Sequence, residues 1–156
     1  MKKLLIALLF VAAPLTVSAA ADRHAGYYYP EPQTIETYIS RAQKIDGVQR
    51  RQRIGFVVGF TQAILSLPYA PPYAIFVKGD DAEKLLIIGY QDGRLDTIYR
   101  VRALLAQLTS TARTMPIFQK FEVEDIFTYL DLLKMMGFAQ ITVSDGDAFA
   151  HQIIIQ

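Results

Sequence analysis

The sequence contains no cysteine and only two histidines. Without cysteine there is no disulfide framework, so a folded chain must rely on its apolar core. Several functional motifs are missing as well. The chain has neither of the glycine-rich loops that cradle phosphates, G-x-x-x-x-G-K-[ST] and G-x-G-x-x-G, and it lacks the catalytic patterns G-x-S-x-G and H-E-x-x-H. The motifs therefore indicate no recognised catalytic class, and we lean towards a protein that is not an enzyme.

A long apolar run occurs at the N-terminus. Lys2 and Lys3 precede it, residues 4–13 form it, and small residues follow at 18–21. This order is typical of a secretory signal peptide over residues 1–21. The run is too short to span a bilayer comfortably, so we expect a periplasmic mature chain without a stable membrane span, with an uncleaved anchor as the alternative. Three cleavage positions fit the small-residue rule: Ala19, Ala20 and Ala21.

The charges of the chain nearly cancel, with 16 basic and 15 acidic residues. Removal of the signal takes Lys2 and Lys3 away and leaves 14 basic against 15 acidic residues, a formal charge of −1. Nucleic-acid-binding proteins usually carry a clear basic excess, so we expect no nucleic acid partner. The prediction is a non-catalytic binding or accessory protein of the periplasm, whose partner is another periplasmic protein or a small ligand.

Residues 22–48 are predicted to form an extended arm and linker. Three tyrosines and two prolines occur in the sequence YYYPEP at 27–32, and proline keeps the backbone extended. Tyr28 is the candidate ligand-binding residue of this arm, which would act as a docking peptide or a stacking platform. The alternative is that the arm packs across the domain. Further on, apolar residues at helical spacing favour a helix over 34–47 against a short strand at 37–40.

Residues 49–156 are predicted to be a single α+β domain with a mainly antiparallel sheet of about five strands, covered by two amphipathic helices. Two hairpins supply most strands, one from 73–78 and 84–90 and the other from 141–143 and 149–155, because apolar runs flank short turns rich in Asp and Gly. The helices are predicted over 94–113 and 122–136, where apolar residues recur at helical spacing.

Residues 54–67 are the most apolar stretch of the domain, and we expect a strand there. Large and small residues alternate along it, and Gly55 and Gly59 would weaken a helix. A basic cluster precedes this stretch and is interpreted as a solvated strand end or loop, with an anion contact as the alternative. The cluster consists of Arg50, Arg51 and Arg53.

Two residues of the domain are candidates for ligand binding. Arg102 lies on the flank of an apolar helical stripe, where its cation faces either a pocket or an ion partner at the surface. His151 alternates in phase with Phe149 and is expected to be buried. If the protein is an enzyme, His151 would act as the base together with Arg102 or Arg94. A satisfied structural histidine is the alternative.

His24 is the candidate metal ligand. If the mature chain begins at Asp22, its amino group, two backbone amides and the imidazole of the third residue supply four nitrogens in a plane. Such a set suits Cu(II) or Ni(II). A shift of the cleavage position by one residue would abolish this geometry.

Three segments carry a resemblance to known sequences: AGYYYPEP at 25–32, YAPPYAIF at 69–76 and DGRLDTIYR at 92–100. In these segments the chain resembles a family of small exported proteins of Gram-negative bacteria, for which no activity is established. Some members are labelled as molybdopterin-guanine dinucleotide biosynthesis protein A, which implies cytoplasmic nucleotidyl transfer with a glycine-rich N-terminal loop. The chain has an export signal where that loop would be, so the resemblance assigns no site residue.

Overall fold

A computed structural model describes residues 29–90 and 94–156 and shows an α+β fold. The predicted signal segment, His24, Tyr28 and the 92–93 break lie outside the described residues. The elements follow in the order β1 (Thr34–Tyr38), α1 (Arg50–Leu65), β2 (Tyr73–Lys78), β3 (Lys84–Gly89), α2 (Ile98–Arg113), α3 (Pro116–Phe121), α4 (Tyr129–Met135), β4 (Gln140–Ser144) and β5 (Ala150–Ile155). Within this described part, no helix combines the length and hydropathy needed to cross a membrane.

The five strands form one sheet in the order β1-β5-β4-β3-β2. Both predicted hairpins are confirmed, because β2 with β3 and β4 with β5 are antiparallel neighbours. The prediction of a mainly antiparallel sheet is wrong, since β3 with β4 and β1 with β5 are parallel. The connection from β3 to β4 runs through α2, α3 and α4, and such a crossover allows two consecutive strands to run in the same direction.

Residues 54–67 do not form the expected strand, because most of them belong to α1. Val57, Phe60 and Ile64 share one face of this helix and are buried in the core. Gly55 and Gly59 lie on the exposed face, where nothing surrounds them. Burial of the apolar face thus outweighs a glycine cost of about 1 kcal/mol per residue.

The helix expected over 122–136 is present only as the shorter α4, and α1 and α3 were not predicted, so the described residues contain four helices and not two. α3 ends at Glu122, which adopts the left-handed conformation with φ 53°. α4 begins only after Thr128, whose hydroxyl accepts from the Asp131 amide in a capping box. The N-cap at Thr128 therefore sets the start of this helix several residues later than the sequence predicted.

The helices pack on one face of the sheet. The sheet residues buried in the common core all share that face, and they are Tyr73, Leu85, Ile87, Ile141, Val143, Ile153 and Ile155. The alternating residues point to the opposite face. There, a row of directly paired residues consists of Lys78, Lys84 and Gln140, with Gln152 nearby on β5.

The helix expected over 34–47 is also wrong, because its first residues form β1 at the edge of the sheet. The basic cluster at 50–53 lies in the first turn of α1 and not in a strand end or loop. Arg53 is 5% exposed, and its guanidinium donates to the backbone carbonyls of Asp81 and Val48. It therefore anchors the β2–β3 turn to α1, which sequence spacing alone could not indicate.

Candidate functional site

His151 lies on β5, on the face of the sheet that carries the core, and is 1% exposed. The parallel register places Thr34 of β1 directly beside it, and Thr34 Oγ1 is 2.6 Å from His151 Nδ1. The predicted burial of His151 is confirmed. The other ring nitrogen, Nε2, is buried and has no hydrogen bond to any residue that the structure describes. It does have a charged neighbour, since Glu36 Oε1 lies 3.2 Å away, in an alignment unsuited to hydrogen bonding.

Glu36 connects His151 to Arg102. The carboxylate of Glu36 is half-buried, and its Oε2 lies 3.4 Å from an Arg102 guanidinium nitrogen. The Arg102 side chain is 62% exposed, so it pairs with Glu36 at the surface and does not point into the core. The structure thus brings two predicted residues together through a third that was not predicted. Glu36 was missed because only the pairing of β1 with β5, across more than a hundred residues, places it there.

Arg94 makes no hydrogen bond or ion pair to His151 and lines a separate groove of about 730 Å³. We call it the proline-loop groove. Its walls come from the end of α1, the loop before β2 and the first turns of α2. The residues that line it are Ile64, Leu67, Tyr69, Ala70, Pro71, Pro72, Tyr73, Arg94, Leu95, Arg100, Ala103, Leu104 and Gln107.

The proline-loop groove combines exposed apolar surface with two cations. Leu67 is exposed, and Tyr69 is 87% exposed. Arg100 forms an ion pair of 2.9 Å with Asp96, one helical turn before it. Arg94 is exposed and has no ion pair or hydrogen bond among the described residues. One guanidinium is therefore available in the groove, and a second is partly engaged.

A second groove, of about 860 Å³, lies on the face of the sheet that does not carry the helices. We call it the sheet-face groove. Residues of the arm form one side of it, and residues of the sheet and the β2–β3 turn form the rest. They are Tyr29, Pro30, Glu31, Pro32, Lys78, Gly79, Asp80, Glu83, Lys84, Gln140 and Gln152. Burial, and then the nearby charge of Glu31, raise the pKa of Tyr29, so its hydroxyl keeps its proton.

Asp131 is a buried carboxylate that sequence reasoning did not single out. It is 0% exposed and accepts five hydrogen bonds. Burial favours the neutral acid, but hydrogen bonds from Thr128, Ser40 and the Arg41 amide outweigh this and lower the pKa of Asp131. The hydrogen bonds to Asp131 thus join the end of β1 to the start of α4.

No group of three His, Cys, Asp or Glu side chains that could hold a metal ion occurs among residues 29–90 and 94–156. The predicted copper or nickel ligand, His24, and the arm residue Tyr28 lie outside these ranges. The comparisons with known proteins do not assign a site either. No family model, curated protein or solved structure matches the chain.

Proposed function

We propose that this protein is a non-catalytic binding protein of the periplasm, and that the proline-loop groove holds a small amphipathic carboxylate. The observation that carries the proposal is Arg94, which has no ion pair or hydrogen bond among residues 29–90 and 94–156, in a groove with apolar walls. A guanidinium matches a carboxylate through two parallel hydrogen bonds. Leu67, Tyr69 and the prolines offer the apolar surface that the remainder of such a ligand would cover.

The size and charge of the groove support this ligand class. Its volume lies within the range of about 300–1,000 Å³ that small-molecule sites occupy. Among the residues that the structure describes, the charged ones lining it are Arg94 and Arg100, and none is acidic. Asp96 reduces the charge of Arg100 but leaves Arg94 untouched. An anion is therefore favoured over a neutral or cationic ligand of the same shape.

A fluorescence titration with 1-anilinonaphthalene-8-sulfonate, an aromatic anion, tests the groove. We expect saturable binding that 2-naphthoate displaces and its uncharged amide does not. Arg94→Ala should weaken binding about 10- to 150-fold, because it removes a charge-assisted hydrogen bond worth roughly 1.5–3 kcal/mol. Arg113→Ala, which removes an exposed arginine at the other end of α2, serves as the control. Equal affinity of the Arg94→Ala and unmodified proteins would contradict the proposal.

The alternative is an enzyme in which His151 acts as a base with Arg102. One observation favours it: His151, Glu36 and Arg102 form a continuous chain of contacts. The burial of the His151 ring opposes it, because a general base must reach its substrate. Hydrolysis of p-nitrophenyl acetate offers a simple test. A rate that His151→Gln reduces to the buffer background would favour the enzyme, and an unchanged rate would remove it.

The periplasmic location and the Cu(II) or Ni(II) site at His24 depend on the same processing event. Intact-mass measurement of the protein recovered from the periplasm tests both. A mature start at Asp22 is required for the metal site, and any processed start at 20–22 supports export. A full-length chain in the cytosol would contradict the location and would reopen the molybdopterin-guanine dinucleotide label, which no motif in the sequence supports.

A further inference from the structure

The sheet-face groove is separate from the proline-loop groove and has a different chemistry. Three of its four sheet residues form a cross-strand row, in which Lys78 is paired with Lys84 and Lys84 with Gln140, and the fourth, Gln152, is offset from that row on β5. Neighbouring strands are about 4.8 Å apart, so this row spaces three polar side chains at regular intervals.

The groove contains hydrogen-bonding groups that can only donate, groups that can only accept and groups that can do both. Lys84 can only donate, and it has no ion pair or hydrogen bond among the described residues. Glu31, Asp80 and Glu83 carry carboxylates, which can only accept. Gln140 and Gln152 do both, and their amides contact each other at 3.3 Å across β4 and β5. A ligand made of hydroxyl groups can satisfy all of them, because each hydroxyl both donates and accepts.

The charges in the groove oppose a strongly anionic ligand. Among the described residues, three carboxylates line it against two lysines, so the acidic groups are in excess by one. The arm adds an apolar wall, since the rings of Tyr29, Pro30 and Pro32 line the same space. The C–H faces of a sugar ring pack on such surfaces, while its hydroxyls need polar partners at the edges.

We propose that the sheet-face groove binds an uncharged oligosaccharide. The hydroxyls would pair with Lys84, Gln140 and Gln152, and the sugar rings would pack against Tyr29 and its neighbouring prolines. This site lies outside the groove proposed above for a carboxylate, and either proposal can fail without the other.

Saturation-transfer difference NMR with maltotriose, cellotriose and chitotriose at millimolar concentration tests the site. We expect at least one trisaccharide to bind. Lys84→Ala and Gln152→Ala should each weaken binding about tenfold, which corresponds to one hydrogen bond of about 1–1.5 kcal/mol. The controls are Lys120→Ala, an exposed lysine of α3, and Arg94→Ala, and both should leave sugar binding unchanged. Urea midpoints equal to that of the unmodified protein would show that the variants are folded.

Three results would overturn the proposal. The first is the absence of a transfer signal from all three trisaccharides. The second is binding that neither Lys84→Ala nor Gln152→Ala weakens, which would place the sugar elsewhere. The third is binding of a sulfated disaccharide alone, which would make the two lysines an anion site.

Discussion

The two ends of β1 are tied to the rest of the molecule in different ways. At the C-terminal end, Asp131 accepts five hydrogen bonds, including those from Tyr38 and Ser40. At the N-terminal end, His151 has a single hydrogen-bonding contact, from Nδ1 to Thr34, and its Nε2 has none. Both groups are almost completely buried. The hydrogen-bonding capacity of the Asp131 carboxylate is thus well used, and that of the His151 ring is used only at one nitrogen.

The difference in hydrogen bonding indicates a structural role for Asp131, whereas the incompletely bonded ring of His151 is less important for stability. Removing a satisfied buried charge leaves several donors without a partner, and each such donor costs about 1–3 kcal/mol. A buried side chain that makes few hydrogen bonds leaves few donors or acceptors without a partner when it is substituted, so its loss costs less stability. We therefore expect stability to depend mainly on the Asp131 end, and the following measurements test that expectation from the largest effect to the smallest.

Asp131→Ala should lower the free energy of unfolding by about 3 kcal/mol, because it leaves the partly buried donors of Ser40 and Thr128 without their acceptor. Urea unfolding followed by circular dichroism measures this change. The matched control is Asp125→Ala, an exposed carboxylate shortly before α4, for which we expect a change within about 0.5 kcal/mol. Similar losses from the two variants would remove the distinction between the ends of β1.

The Asp131 carboxylate should also make the stability of the protein depend on pH. The folded protein lowers the pKa of Asp131, so its contribution is complete above the ordinary carboxyl pKa of about 4. The contribution is lost as the pH falls through the lower pKa of the folded state, because protonation then favours the unfolded chain. Urea midpoints between neutral and acidic pH should decline less steeply for Asp131→Asn. Parallel profiles would show that other groups control the acid transition.

Thr34→Val should cost about 1 kcal/mol, since it removes the single hydrogen-bonding partner of the His151 ring. In a His151→Leu background the same change should cost much less, and the double-mutant cycle by urea unfolding measures the difference. A loss as large as that of Asp131→Ala would mean that both ends of β1 hold the fold equally.

Tyr129→Phe should have the smallest effect, between no change and a gain of about 1 kcal/mol. Within the described part of the chain the buried Tyr129 hydroxyl has no hydrogen-bonding partner, and burial raises its pKa, so it stays protonated. The ring packs 5.0 Å from that of Phe60, and phenylalanine keeps this contact. Thermal unfolding provides the measurement. A clear loss of stability would reveal a hydrogen-bonding partner for the hydroxyl.

Local patterns were sufficient for the two hairpins and for α2. Turn residues between apolar runs predict β2–β3 and β4–β5, because the two strands of a hairpin are close in sequence. The same kind of reasoning was wrong for the α1 segment, where it predicted a strand. Its alternation of large and small residues fits a strand, while Val57, Phe60 and Ile64 equally fit one face of a helix. Choosing between them requires knowledge of what covers the segment.

The candidate sites were predictable only in part. His151 and Arg102 attracted attention because each departs from an apolar pattern, but Glu36, which lies between them, was not recognised. The row formed by Lys78, Lys84 and Gln140 was missed for the same reason, since β3 and β4 are separated by three helices along the chain. Residues that come together through parallel strand pairing are far apart in the chain, so no local sequence pattern predicts their contact.

The sequence by itself determined that the fold is α+β, that two hairpins form, and that the core holds together without disulfides. These properties follow from composition and from contacts between residues near one another in the chain. Only the tertiary structure decided that the sheet is mixed, that β1 joins its edge, and that two grooves of opposite character lie on the molecule. Those features come from long-range pairings, which are selected by burial of the whole core and not by any single segment.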